Sequence, residues 1–397
     1  MNEKNNELLT RGISSIYPSR EFVQEKLNKG EKLTLYLGID PTGPTLHLGH
    51  AIPIKKLSEF QKQGHKIILL MGDFTAMIGD PTDKTAVRKQ LTHKEVMANL
   101  KNYKKQASAL ISFSGKNAAQ FKFNSKWLKK MNFEEVLTLA SQMTVQQMLE
   151  RDMFDKRIKE GRPISLHEFM YPLMQGYDSV AMNVDGEIGG NDQTFNMLCG
   201  RNLMKTMKNK EKFVITMKLL EDNTGKKMGK TEGNMLALSD TPDEMYGKVM
   251  SWTDELIISG FELCTNIPTE EIKKISEELK SNKINPRDLK MRLAKEVVTI
   301  FCGERKATQA EENWEKTFSK KEIPKDIETI SAKPDKLLVD VLLANKIVSS
   351  KSDFRRLVEE KAITNMDTNK KISSYTEKVA NGTYRIGKKR FCKITIL

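Results

Sequence analysis

The chain runs to 397 residues, too long for one ordinary core and long enough for two or three; its 38% hydrophobic and 30% charged residues exclude a disordered or fibrous chain. No stretch approaches the roughly 18 apolar residues of a membrane span, and the polar opening MNEKNNELLT is unlike a signal peptide, so no membrane partner and a cytoplasmic location are expected. Cys199, Cys264, Cys302 and Cys392 lie far apart with no CxxC pair, which argues against a structural metal or a disulfide framework, whereas a formal charge of +14 favours a polyanionic partner.

Leu33 to Ile39 (LTLYLGI) predicts a strand, Asp40-Pro-Thr-Gly-Pro a turn, and a helix then starts near His47. Ile67 to Met71 predicts a second strand that opens into Gly72-Asp73 and Gly79-Asp80-Pro81. Strand, helix and strand in this order imply a parallel α/β sheet. Lys84 to Lys130 and Asn132 to Gln147 read as helical; Ser165-Leu-His-Glu168 is a capping box that starts a helix to about Asp178, with Pro172 predicting a kink or a later start. Charged amphipathic helices then continue from Met235 to about Ser319, and the polar, proline-bounded stretch Ser319 to Pro334 reads as a linker. The expected division is a catalytic α/β domain over 1–235, a helical domain over 236–320, a linker over 321–333 and a small α+β domain over 334–397.

Two motifs carry chemistry. His47-Leu-Gly-His50 places two imidazoles i, i+3 at a helix N-terminus, where free amides and the dipole bind anions and Gly49 lets the backbone approach a ligand. Lys227-Met-Gly-Lys230-Thr231, about 180 residues later, is a glycine-flanked basic loop suited to a triphosphate. In this order the pair resembles the HIGH and KMSKS signatures of the class I aminoacyl-tRNA synthetases, with Gly229 in place of the usual serine. The resemblance implies a Rossmann-like catalytic domain in which ATP is attacked at its α-phosphate by an amino-acid carboxylate, with Mg²⁺ accompanying the ATP and no protein metal site. Thr42, His47 and His50 would then hold phosphate oxygens from one side and Lys227, Lys230 and Thr231 from the other, so catalysis is positioning and electrostatics.

A second set of residues narrows the amino acid. Tyr171, Gln175 and Asp178 lie i, i+4, i+7 on one helical face. With YxGxDPT at Tyr36 to Thr42, GDPT at Gly79 to Thr82 and GGNDQ at Gly189 to Gln193, the chain resembles the bacterial tyrosyl-tRNA synthetases. By that likeness Tyr36 and Asp178 bond a substrate phenol and Thr75, Asp80, Tyr171 and Gln175 hold its ammonium. Gln193 borders the pocket, while Gly38, Asp40, Gly49 and Asp192 line the ATP side. Glu187 stands where many relatives have glutamine, and Pro53 interrupts the first helix.

From Pro334 to Leu397, 14 Lys/Arg face 7 Asp/Glu, a net +7 and half of the chain's excess. This end resembles an S4-type RNA-binding module, although Thr364-Asn-Met-Asp367 replaces its glycine turn. Lys351, Arg355, Arg356, Lys388, Lys389 and Arg390 would meet phosphates. The implied partners are L-tyrosine, ATP, tRNA and a second copy of the chain in a homodimer. The rival readings are a tryptophan-specific enzyme of the same subclass, a catalytically idle RNA-binding paralogue and a nucleotidyltransferase sharing the HxGH loop.

Overall fold

A computed structural model of the chain describes residues 7–80, 91–221, 235–319, 327–345, 347–368, 370–387 and 390–396. The chain forms two compact units, Met1–Glu311 and Glu312–Leu397. Among the described residues no helix is long and apolar enough to cross a membrane.

The first unit is built on six strands: β1 (Ile13–Tyr17), β2 (Thr34–Ile39), β3 (Lys66–Met71), β4 (Gln120–Phe123), β5 (Gly186–Gly190) and β6 (Phe213–Met217). They lie in the order β1-β6-β5-β2-β3-β4, parallel except for the edge strand β1. The parallel interior explains the sequence: both faces are covered, so β3 (KIILLM) and β6 (FVITM) read as near-continuous apolar runs. From β2 the chain builds outward through β3 and β4, then crosses back to place β5 on the other side of β2. The crevice at the carboxyl ends of β2 and β5 is therefore a topological switch point, where open α/β sheets bind ligands.

Two sequence expectations are corrected. The region 84–130, expected to be helical, contains β4 (QFKF), which pairs with β3 through Leu69 to Phe121. Four residues flanked by lysines carry too little alternation to stand out from a helical pattern. Pro172 does not mark a later start: it lies inside a helix that runs Leu166–Met182, with Glu168 reaching back to the Ser165 amide at 2.9 Å. The helices after 235 join the sheet in one unit. Arg11 ties them together, its guanidinium donating to the carbonyls of Phe261, Glu262, Thr265 and Ile267 at 2.6 to 3.1 Å.

Helix Leu166–Met182 packs on helix Thr194–Lys208, and glycine sets their separation. A Cβ on Gly176 would stand 2.7 Å from Leu203 and 3.1 Å from the Gly200 amide.

The second unit holds five strands, β7 (Glu328–Ala332), β8 (Ile363–Asn365), β9 (Lys370–Lys371), β10 (Gly382–Ile386) and β11 (Arg390–Ile396), in the order β7-β11-β10-β8-β9. β7 lies inside the expected linker 321–333 and pairs parallel with β11, Ile330 against Ile394. Only Ile330 and Ala332 of ETISA are buried, so the strand hides in a polar sequence. Helices Leu338–Ala344 and Lys351–Glu359 supply Leu342, Phe354 and Leu357 to a core with Tyr384 and Ile394. Where a glycine turn was missing, the Asn365 side chain makes the turn by accepting from the Asp367 and Thr368 amides at 3.1 and 3.3 Å.

These contacts set the stability of each unit. Gly176→Ala should lower the unfolding free energy by about 1–3 kcal/mol because the new methyl would crowd both the Leu203 side chain at 2.7 Å and the Gly200 backbone at 3.1 Å; an unchanged denaturation midpoint would show that the helices have slack. In the second unit, burial raises the Asp353 carboxyl, but the Ser349 amide, Arg356 and Arg390 overcome it and hold its pKa down at about 2. A depressed carboxylate contributes stability above its unfolded pKa of about 4, and that contribution is lost as pH falls through about 2. Asp353→Asn should therefore cost about 1–2 kcal/mol at neutral pH, with the gap to wild type closing in an acid titration from pH 5 to 2.

Candidate functional site

At the switch point the carboxyl ends of β2, β3 and β5 meet the 166–182 helix and the turn after β4. Asp178 is buried on that helix, and its carboxylate accepts from Trp127 Nε1 at 2.7 Å and Asn124 Nδ2 at 3.3 Å. Burial pushes the Asp178 pKa up, and the Trp127 and Asn124 bonds pull against it. Asn124 also donates to Thr75 Oγ1 at 3.1 Å and accepts from the Phe74 amide at 3.0 Å, so the end of β4 is locked to the end of β3.

Asp40, expected on the ATP side, sits between two residues expected at the ammonium. Thr75 Oγ1 donates to one of its oxygens at 2.7 Å and the Tyr171 hydroxyl to the other at 2.9 Å. Gly72 makes room, since a Cβ there would lie 1.9 Å from Asp40 and 2.3 Å from the Thr75 hydroxyl. Asp80 accepts from Gln193 Nε2 at 2.8 Å and has the Arg151 guanidinium at 3.7 Å, while Asn196 fixes the other end of the Gln193 amide at 2.9 Å. Burial lowers the Arg151 pKa, with Asp80 opposing.

The third cluster surrounds Tyr36. Its hydroxyl lies 2.9 Å from Ser179 Oγ, Ser179 accepts from the Lys212 ammonium at 2.8 Å, and Lys212 is ion-paired with Glu187, whose other oxygen accepts from Gln175 Nε2 at 3.1 Å. All but Gln175 are buried. Burial raises the pKa of both Tyr36 and Tyr171, keeping the phenols protonated, and lowers that of Lys212 against the pull of Glu187.

Tyr171, Gln175 and Asp178 thus share the helical face that their spacing predicts, and Tyr36, Thr75, Asp80 and Gln193 come to the same crevice. Sequence reasoning missed Asn124 and Trp127, which follow a strand it read as helix, and Ser179, which lies on the same face as Gln175 one turn on. It also missed Lys212. A single lysine among 66 basic residues carries no signal of its burial.

On the nucleotide side, His47 caps the helix Leu48–Lys62, its amide donating to His50 Nδ1 at 3.2 Å, and the two imidazole centroids lie 3.8 Å apart with the rings tilted by 32°. A Cβ on Gly49 would press on the His47 ring at 3.0 Å. Pro53 is buried within this helix. Thr42 turns back on Asp40, amide to carbonyl at 2.8 Å, and Asp192 lies in the short 3-10 turn after β5, beside Gly190. Gly38, on β2, would have only the Tyr36 ring near an added Cβ, at 3.9 Å. Lys227, Lys230 and Thr231 lie outside the described residues. Leu236, five positions after Thr231, accepts from the Leu48 amide at 3.0 Å, and the Leu238 amide donates to Leu46 at 2.8 Å. The chain just past that basic segment is therefore bonded beside the histidine motif.

In the second unit Lys351 and Arg355 are exposed. Arg356 pairs with Asp353 at 2.8 Å and Glu360 at 3.0 Å, and Arg390 donates to the Ile347 carbonyl at 2.7 Å and to Asp353 at 3.2 Å. Lys388 and Lys389 lie outside the described residues.

Residues 28–319 match the family described as tRNA synthetases class I (W and Y). The tyrosine–tRNA ligase of Thermotoga maritima is 42% identical over 395 residues, 99% of this chain and 98% of the relative. Tyrosine–tRNA ligase 2 of Clostridium acetobutylicum is 41% identical over 396 residues, 98% of each. Among solved structures, a C-terminally truncated mitochondrial tyrosyl-tRNA synthetase from Aspergillus nidulans shares the fold with a TM-score of 0.68 at 23% identity, over 79% of this chain and 94% of that one. Tyrosyl-tRNA synthetase complexed with L-tyrosine from Archaeoglobus fulgidus gives a TM-score of 0.61 at 22% identity, over 78% and 99%. With a family match across most of its length and relatives above 40% identity end to end, the chain belongs to the class I tRNA synthetases of the tryptophan and tyrosine group, and within them to the tyrosine–tRNA ligases.

Proposed function

We propose that the chain activates L-tyrosine with ATP to tyrosyl-adenylate and transfers the tyrosyl group to the 3'-terminal adenosine of its tRNA. The observation that carries this is the buried Asp178 carboxylate, oriented by Trp127 and Asn124 in the crevice that also holds Tyr36. A carboxylate has about four acceptor positions, so Asp178 can take the hydroxyl of tyrosine beside its bonds to Trp127 and Asn124, and phenylalanine leaves that position empty.

The residues then divide the work. Tyr36 and Asp178 receive the phenol, and Thr75, Asp80, Tyr171, Gln175 and Gln193 hold the ammonium and the wall beside it. The substrate carboxylate attacks the α-phosphate and pyrophosphate leaves, while the amides at the helix start with His47, His50 and Thr42 support the phosphates. Lys227, Lys230 and Thr231 close from the other side, and Gly38, Gly49 and Asp192 border the nucleotide. A ribose hydroxyl of the tRNA terminus then takes the tyrosyl group from the adenylate. Mg²⁺ arrives with the ATP, whose phosphates supply the hard oxygen ligands it prefers.

The positive second unit fits an RNA backbone, with Lys351 and Arg355 presented to solvent and Lys388, Lys389 and Arg390 in the same basic run. It is read as an S4-like domain, following a helical part of the first unit that meets the anticodon side. The working state is a cytoplasmic homodimer. Phe133 is 77% and Leu166 82% exposed, with Leu137 and Val145 also exposed, around helices whose inner faces share one core. Such a group of bare apolar side chains marks an interface.

Amino-acid-dependent exchange of pyrophosphate into ATP tests the reaction directly. Tyrosine alone should drive it; exchange with tryptophan, or with no amino acid, would overturn the assignment. Asp178→Asn should cost tyrosine kcat/KM roughly ten- to a hundredfold, as expected for a hydrogen bond to a charged group worth about 1.5–3 kcal/mol. For the dimer, Phe133→Asp should shift the sedimenting species of the full chain from two copies to one, and a wild type that sediments as a monomer would remove that part of the proposal.

A further inference from the structure

We infer that the buried Lys212–Glu187 ion pair is a positioning device for amino-acid selection, fixing the Tyr36 hydroxyl through Ser179 and the Gln175 amide from behind the pocket. The inference rests on the reading of the crevice as a tyrosine site. It concerns residues that border the substrate groups without being among them.

The chain of contacts is complete on both sides of the pair. Lys212 Nζ reaches Ser179 Oγ at 2.8 Å, Ser179 Oγ lies 2.9 Å from the Tyr36 hydroxyl, and Glu187 Oε1 receives Gln175 Nε2 at 3.1 Å. Lysine can only donate. Ser179 therefore accepts from Lys212, and the Ser179 and Tyr36 hydroxyls share a hydrogen bond in which either oxygen can donate, so the ammonium fixes the Ser179 oxygen that the Tyr36 hydroxyl meets. The ammonium also sits 5.6 Å from the centroid of the Tyr36 ring, so it holds the ring face as well as the hydroxyl.

The fold makes a particular place for this ammonium. Lys212 and Ser179 are fully buried and Glu187 nearly so. A Cβ on Gly200 would lie 2.7 Å from Lys212 Nζ and 3.0 Å from Ser179 Oγ, so the glycine crossing of the two helices opens the space that the lysine fills. Taking two charges out of water costs about as much as their attraction returns, and well-packed apolar residues serve stability as well or better. Stability alone therefore does not account for the pair. Its remaining hydrogen-bonding capacity is directed at Tyr36, through Ser179, and at Gln175, the residues that would read the phenol and the ammonium.

The test compares tyrosine and phenylalanine in pyrophosphate exchange for three full-length proteins: wild type, Ser179→Ala, and the charge-neutral double variant Lys212→Met/Glu187→Gln. For Ser179→Ala, loss of one oriented hydrogen bond at the phenol should lower kcat/KM for tyrosine roughly tenfold, mainly through KM, and leave that for phenylalanine within about twofold; the double variant also loosens Gln175 at the ammonium, so it should lower both substrates, tyrosine by about tenfold more than phenylalanine. A general loss of structure would lower both substrates together. Ser179→Ala keeps the ion pair and removes only one oxygen, so it remains decisive even if the double variant fails to fold. If the wild type prefers tyrosine and the variants keep its preference undiminished, the positioning role is refuted and the tyrosine reading stands. If the wild type shows no preference for tyrosine, the tyrosine reading falls and the inference with it.

Discussion

Lys212 and Glu187 are two charges taken out of water at the centre of a parallel sheet, and the polar geometry around Tyr36 depends on them. Neither is tolerable alone, because an unpaired buried ion costs several kcal/mol. The pair in turn requires that the 166–182 and 194–208 helices approach across glycine, since a side chain on Gly200 would occupy the position of the ammonium. Backbone packing, a buried ion pair and the orientation of a pocket hydroxyl are thus one problem with one solution.

Asp178 poses the same difficulty without a cation. Burial drives its pKa up, and the indole of Trp127 and the amide of Asn124 are the donors that answer it. Those two residues stand just beyond β4, the strand furthest from β5 on its side of the switch point, so the short QFKF strand is what carries them into the site. Asp40 repeats the theme at the end of β2, where Thr75 and Tyr171 satisfy both of its oxygens in space left by Gly72. The crevice holds its carboxylates in fixed orientations before any ligand arrives.

What could be read from the sequence follows from where the signals lie. Motifs with fixed spacing, such as His47 to His50 or Tyr171 to Asp178, survive any uncertainty about the fold, because a helical repeat places them on one face. The parallel sheet was legible in the apolar runs of β2 and β3. Elements whose signal is diluted by charge were not: β4 among lysines, and β7 in a polar stretch with two buried side chains. Lys212 and Ser179 illustrate a deeper limit. Their importance lies in the company they keep across 33 residues of chain, and nothing local to either residue announces it. The second unit shows the same limit: Arg356 and Arg390, expected to meet phosphates, are engaged with Asp353 and, for Arg390, with the Ile347 carbonyl.

The central claim is that the crevice is organised, before ATP or tRNA binds, to demand a phenolic hydroxyl. Calorimetric titration of the free full-length protein with L-tyrosine and with L-phenylalanine measures that demand without chemistry. The account predicts that tyrosine binds more tightly by at least about tenfold, the value of one well-made hydrogen bond to a charged acceptor. Equal affinities for the two amino acids would contradict it.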